Sequence, residues 1–197
     1  KSAPLDLLPG RDAYVRSAYL INHPASNWDS ENALLHRLQP VEAVRDLIQS
    51  VPVHSDIGLH IRMEGASGTA LQSYDNPENW TADSHAEITA WRDKSHFSAF
   101  MARLDTQFAD QPDARVFLAA DQSQTYTAFS QTYGNRVVGL QRQVFDRSTA
   151  QLQYALADML LLARCRILLG SNWSSFTEAA LRLSSTIRQQ EHSGVNF

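Results

Sequence analysis

Ile57-Gly58-Leu59-His60-Ile61-Arg62-Met63-Glu64-Gly65 reads as a strand by its apolar positions, yet it closes on a histidine, an arginine and a glutamate. Side chains alternate across a strand, so Leu59, Ile61 and Met63 share one face while His60, Arg62 and Glu64 share the other. One face goes to a core. The other carries three polar groups, two of them charged, toward the strand's carboxyl end, which is where open parallel sheets bind their ligands.

Outward from this run, apolar stretches of strand length recur over residues 13–21, 115–120, 136–140 and 166–169. Helical stripes lie between and after them. Val41, Val44, Leu47, Ile48 and Val51 follow Pro40, which a first helical turn tolerates. Phe97, Phe100, Met101, Leu104 and Phe108 form a second stripe. Leu152, Leu156, Met159, Leu160 and Ala163 form a third, and Phe176, Ala180, Leu183 and Ile187 a fourth. Strands that alternate with helices of this length pair in parallel through crossovers, which predicts an α/β fold with a doubly wound, mostly parallel sheet covered on both faces. Val116-Phe117-Leu118-Ala119-Ala120, apolar on both faces, suits a central strand of such a sheet.

Residues 31–197 read as one domain. Residues 1–30, with a single strand-like run among Pro, Gly and Asn, read as a lead-in segment or the remnant of a neighbouring domain. The stretch from Glu64 to about His85 is rich in Gly, Ser, Asn and Asp and reads as a long loop.

Seventeen basic against 21 acidic residues give a net charge of −4, which provides no field for gripping nucleic acid or an anionic membrane. An anion must be held locally. With Cys165 as the one cysteine, neither an internal disulfide nor a Cys-rich zinc site is possible. The chain opens on Lys1 without a signal-like stretch or a long apolar span, and reads as a soluble piece or a trimmed chain. Asn79-Trp80-Thr81 and Asn172-Trp173-Ser174 match the glycosylation sequon, whose use depends on a secretory origin.

The clearest local signal for a site is Arg166-Ile-Leu-Leu-Gly170-Ser171-Asn172-Trp173-Ser174-Ser175-Phe176-Thr177-Glu178: strand, polar turn, amphipathic helix. The N–H groups and positive dipole end at such a helix start favour an anion, typically a phosphate. Ser175 and Glu178 also have the S-x-x-E spacing of a capping box, which closes a helix without any ligand. Arg62 at the edge of a parallel sheet has a planar fork suited to a diphosphate; an ion pair with Glu64 is the plainer reading. His60 fits either a site or a partly buried core position. Asp121, closing the run 115–120, fits either an N-cap or an acceptor for a ribose or base. No Asp-x-Asp pair or H-E-x-x-H spacing is present, so the sequence points away from a metal. The G-x-S-x-G elbow, the P-loop and the G-x-G-x-x-G fingerprint are likewise missing.

As an ordered set, His60-Ile-Arg62-Met-Glu64 after a strand, Phe-Leu-Ala-Ala-Asp121, and Leu-Gly-Ser-Asn-Trp-Ser-Ser175-Phe176 before a helix resemble the carboxyl-terminal half of the fucosyltransferase superfamily, over roughly residues 40–190. That superfamily takes in the α-1,6- and protein O-fucosyltransferases and the plant O-fucosyltransferase-like proteins. The resemblance implies the Rossmann-like nucleotide-sugar half of a GT-B glycosyltransferase. GDP-fucose would be the donor substrate, with no metal or other cofactor, and a glycan or protein hydroxyl the acceptor. Arg62 would contact the diphosphate; Ser174, Ser175 and Phe176 would cradle it; His60 and Asp121 would lie near the guanosine. Arg62 and Glu64 would be the catalytic pair, Glu64 matching the acid of the plant-like branch. Met63 departs from the α-1,6 branch, where a second arginine follows the first. The chain is also short for a two-domain enzyme, so an acceptor-binding half is expected to be missing or reduced, with a Golgi or ER lumen location if the chain is eukaryotic and part of a longer anchored one, and a cytoplasmic location otherwise. A nucleotide-binding module without turnover, acting as an interaction partner, is the alternative.

Overall fold

The computed structural model describes residues 10, 12, 14, 23–24, 26–51, 54–63, 77–142, 145 and 148–197. Lys1–Gln39 and Pro40–Phe197 form two compact units. In the first, α1 (Trp28–Leu35) starts where the Asn27 side chain accepts the Ser30 N–H at 2.9 Å, with Asp29 and Glu31 in the turn that favours acids. The strand expected over 13–21 lies outside the described residues, Tyr14 apart.

The second unit is built on five strands: β1 (Ile57–Ile61), β2 (Val116–Ala120), β3 (Val137–Val138), β4 (Ile167–Gly170) and β5 (Gln189–His192). All pair in parallel, in the order β3-β2-β1-β4-β5. The connections are helical: α3 (Ala82–Lys94) and α4 (Phe97–Asp110) join β1 to β2, and α5 (Ser123–Tyr133) joins β2 to β3. Further on, α6 (Thr149–Leu162) joins β3 to β4 and α7 (Ser175–Leu183) joins β4 to β5, while α2 (Glu42–Gln49) precedes β1. This is the doubly wound parallel α/β sheet that the alternation of strands and helices predicts.

Strand alternation sorts the core into two layers. Ile57, Leu59 and Ile61, with Val116, Leu118, Ile167 and Leu169, pack on Phe100 and Leu104 of α4 and Phe129 of α5. Phe117, Ala119 and Leu168 face the other way, toward Val44 and Ile48 of α2, Ala157, Leu161 and Leu162 of α6, and Ala180 of α7. Gly58 lets α6 settle on that second face: a Cβ there would stand 3.0 Å from Leu162 Cδ2 and 3.2 Å from Cys165 Sγ.

Three elements differ from expectation. The strand expected over 136–140 is reduced to Val137–Val138, because Arg136 belongs to a 3-10 turn and Gly139 is pressed against β2, where a Cβ would meet the Leu118 carbonyl at 2.9 Å. The loop expected to reach His85 ends earlier. A 3-10 turn covers Pro77–Asn79, and α3 begins after Thr81, whose hydroxyl oxygen accepts the Ser84 N–H. The edge strand β5, Gln-Gln-Glu-His, has no apolar pattern to announce it.

The order also locates the place where a ligand would bind. From β1 the chain steps outward to β2 and β3, then crosses back to the other side of β1 for β4 and β5. The winding therefore reverses between β1 and β4, and such a switch point opens a crevice at the carboxyl ends of the two strands.

Candidate functional site

At the switch point His60 is paired with Gly170 across the ladder. The pairing continues past the strands: the Ser171 N–H donates to the His60 carbonyl at 2.9 Å, and the Arg62 N–H donates to the Ser171 hydroxyl at 2.8 Å. On the other flank the Asp121 N–H donates to the Ile61 carbonyl at 3.3 Å. The Asp121 carboxylate accepts the Met63 N–H at 3.0 and 3.2 Å and lies 3.5 Å from Arg62 Nε. Asp121 is thus no N-cap. That position in α5 is Gln122, which makes no side-chain cap bond. The carboxylate instead ties down the exit of β1 and holds the Arg62 guanidinium at the sheet edge. Met63 turns the opposite way and packs on the core, where its sulfur accepts the Phe97 N–H at 3.3 Å.

The start of α7 departs from the capping box. Its N-cap is Ser174, with no side-chain cap bond, so Ser175 is the first helical residue and Glu178 falls one position too late to close a box. Thr177 explains the shift. Its hydroxyl donates inward to the Ser171 carbonyl at 3.1 Å, and its oxygen lies 2.7 Å from His60 Nδ1. With the hydroxyl proton committed to Ser171, His60 must donate from Nδ1–H, which leaves Nε2 with its lone pair. Phe176 stacks on the same imidazole, centroids 4.6 Å apart and planes 14° from parallel. Gly170 permits this closeness, since a Cβ there would stand 2.3 Å from Thr177 Cγ2. Trp173 just before the cap has a φ of 54°, a left-handed backbone costing about 1–3 kcal/mol in a non-glycine residue. The result is a helix start whose first-turn N–H groups, on Ser175, Phe176 and Thr177, have no intrahelical acceptors and no side-chain cap.

His60 is buried, and the desolvation together with the positive charges of Arg62 and Arg92 pushes its pKa down from 6.5 to about 3. It is a neutral imidazole throughout the physiological range. Arg92 comes from α3, and neither it nor Thr177 is singled out by any motif in the sequence. Of the residues the sequence does point to, His60, Arg62, Asp121, Ser174, Ser175 and Phe176 all lie at the carboxyl ends of β1, β2 and β4. Glu64 lies outside the described residues. Among the described residues, no group of three or more His, Cys, Asp and Glu side chains is placed to hold a metal ion, and no helix is long and apolar enough to cross a membrane.

A parallel sheet with an uncapped helix start and an arginine at its switch point invites comparison with solved structures. This chain has the fold of two fucosyltransferases. The selenomethionine form of the fucosyltransferase NodZ from Bradyrhizobium matches with a TM-score of 0.52 at 19% identity, over 86% of this chain and 54% of that one. The apo form of POFUT1 matches with a TM-score of 0.51 at 11% identity, over 84% and 50%. NodZ α-1,6-fucosyltransferase soaked with GDP-fucose gives 0.49 at 21% identity, over 81% and 48%. The chain spans about half the length of these structures. No protein-family model matches the chain, and no curated protein matches it.

Proposed function

We propose that this chain belongs to the fucosyltransferase superfamily and that its second unit is the donor half of a GT-B enzyme. It would transfer fucose from GDP-fucose to a glycan or protein hydroxyl with inversion and without a metal. The observation that carries this is the meeting, at the switch point, of the Arg62 strand end with the uncapped start of α7. The shared fold with NodZ and POFUT1 supports it, as does the ordered set of motifs.

In this reading the diphosphate lies between the Arg62 guanidinium and the N–H groups and hydroxyls of Ser174, Ser175 and Phe176. The acceptor oxygen attacks the anomeric carbon from the face opposite the diphosphate. The bond from that carbon to the phosphate oxygen breaks, its electron pair leaves with GDP, and the proton of the acceptor hydroxyl passes to the surrounding water. Negative charge grows on the diphosphate as the bond breaks, so donors fixed at that position stabilise the transition state more than the ground state. His60 and Asp121 lie on the guanosine side and act by positioning: His60 seats α7 through Thr177 and Phe176, and Asp121 aims Arg62. Glu64, two residues beyond Arg62 in the sequence, is the second residue proposed for catalysis.

Calorimetry with GDP, GDP-fucose, UDP and UDP-sugars tests the donor class. The expected result is binding of GDP and GDP-fucose with UDP compounds weaker by an order of magnitude or more, about 1.4 kcal/mol. Equal binding of uridine and guanine nucleotides would overturn the fucose reading. Guanine-selective binding without transfer to any of a broad acceptor panel would assign the chain as a binding module instead.

A further inference from the structure

Arg92 is 7% exposed on a helix whose other buried residue is Ile88. Burying a guanidinium costs several kcal/mol unless its donors are used, and Arg92 keeps contacts within the protein. The end of α3 that carries it is docked on the β4–α7 turn. Trp91 stacks on Trp173, centroids 6.4 Å apart and planes 19° from parallel. Three residues beyond Arg92, the Ser95 hydroxyl donates to the Trp91 carbonyl at 3.0 Å. That hydroxyl's oxygen then accepts from Ser193 at 2.7 Å, and the Ser193 oxygen accepts the Asn172 N–H at 3.3 Å. Arg92 therefore stands on a segment clamped from both sides to Asn172 and Trp173, the residues that lead into the start of α7. Its charge and that of Arg62 both reach His60, the imidazole beneath Phe176.

The charge balance of the site shows what a second cation would do. Arg62 shares its guanidinium with the Asp121 carboxylate at 3.5 Å, so that corner is close to neutral. The helix start supplies only partial charges, equivalent to roughly half an elementary charge. A nucleoside diphosphate carries at least two negative charges and gains another as the sugar leaves, which calls for a full positive charge besides Arg62. A guanidinium has five N–H donors in a fixed fork, enough to keep a protein contact and still serve a phosphate.

We propose that Arg92 is the second guanidinium of the diphosphate site, supplied by the clamped end of α3. This rests on the nucleotide-sugar reading above and adds to it a residue from a separate element. Because the clamp runs through Trp91, Ser95 and Ser193, the position of Arg92 is tied to that of α7, and the two move as one wall of the pocket.

The test is calorimetry on the full chain with GDP, GMP, guanosine and inorganic pyrophosphate. Arg92→Met should weaken GDP and pyrophosphate binding at least tenfold, GMP less, and guanosine not at all; Arg92→Lys should restore part of the loss. In the unsubstituted chain, the Arg92 Nε–H resonance should shift on adding GDP or pyrophosphate and stay in place with guanosine, a readout that does not depend on the variant folding. If the unsubstituted chain binds GDP but Arg92→Met binds it within twofold, or the resonance does not respond, this inference fails and the donor reading stands. A chain that binds neither GDP nor pyrophosphate overturns both.

Discussion

Replacing Arg62 with alanine should weaken GDP binding by about tenfold to a hundredfold, and the structure shows both why the loss is of that size and how to dissect it. A charge-assisted hydrogen bond contributes about 1.5–3 kcal/mol, and 1.4 kcal/mol is about tenfold in affinity. Two features pull in opposite directions. The Arg62 side chain is 28% exposed and shares its charge with Asp121, which lowers its net worth to an anion. Its removal, however, leaves the Asp121 carboxylate, only 14% exposed, uncompensated beside the phosphates. The double variant Arg62→Ala/Asp121→Asn should therefore bind GDP more tightly than Arg62→Ala, by about threefold to tenfold, a coupling expected of groups in contact. The asparagine oxygen can still accept the Met63 N–H, so the exit of β1 keeps its tether. Isothermal titration with GDP, with guanosine as the control that carries no phosphate, measures all of these. If Arg62→Ala binds GDP as tightly as the unsubstituted chain, the strand end is a solvated edge and the site assignment falls.

Gly170→Ala should lower the melting temperature by about 5–10 °C, from an overpacking cost of about 1–3 kcal/mol plus disturbed hydrogen bonds. Thr177 cannot swing away from the added methyl without leaving both His60 and Ser171. Adding Thr177→Ser, which removes the clashing Cγ2 and keeps the hydroxyl, should restore most of the loss in a thermal melt; no recovery would show that Thr177 is not the obstacle. For His60, whose folded pKa of about 3 lies below the unfolded 6.5, the unfolded chain binds the extra proton between those values. Stability is thus complete above pH 6.5 and falls as the solution is acidified toward pH 3, by up to about 1.4 kcal/mol per pH unit. In His60→Gln that part of the acid sensitivity should vanish from denaturant titrations run across this range.

The parts of the fold that a reader of the sequence can recover are those where one local pattern has one meaning. β2 and β4 are buried on both faces and announce themselves as continuous apolar runs, while β1, as fully buried, is legible from the apolar residues around His60. β5 is not legible: an edge strand of Gln-Gln-Glu-His gains its place by ladder hydrogen bonds to β4 and by the paired contacts from Arg103 to Glu191 at 2.6 and 2.7 Å, none of which needs apolar residues. α3 is hidden for a related reason, since of its thirteen residues only Ile88 and Arg92 are buried. In the candidate site, Arg62, Asp121 and the 171–176 turn are visible because they end strands or begin a helix. The cap is misread by one residue because Ser174 and Ser175 are alike and the decision belongs to Thr177, through a contact 117 positions away in the chain. Arg92 has no local signal at all, as its meaning depends on where the end of α3 is docked.

The distances within the sheet are compatible with the one ligand proposed for these scattered residues. β1 is central, with β2 and β4 on either side, and neighbouring strands lie about 4.8 Å apart. From Asp121 at the end of β2 to the start of α7 beyond β4 the sheet edge therefore spans about 10 Å, two strand spacings. In the proposed reading, a nucleoside diphosphate lying across it presents a polar ring at one end and an anion at the other. The neutral His60 stands midway. A protonated imidazole there would add a third cation to the cluster, whereas the neutral form can spend its one N–H on Thr177 and hold the start of α7 in place. Burial first, and the two arginines after it, depress the pKa, and the seating of α7 depends on the neutral form: in the proposed reading, positive charge brought in for a diphosphate also helps keep the histidine at the centre of the site in the protonation state its own architecture needs.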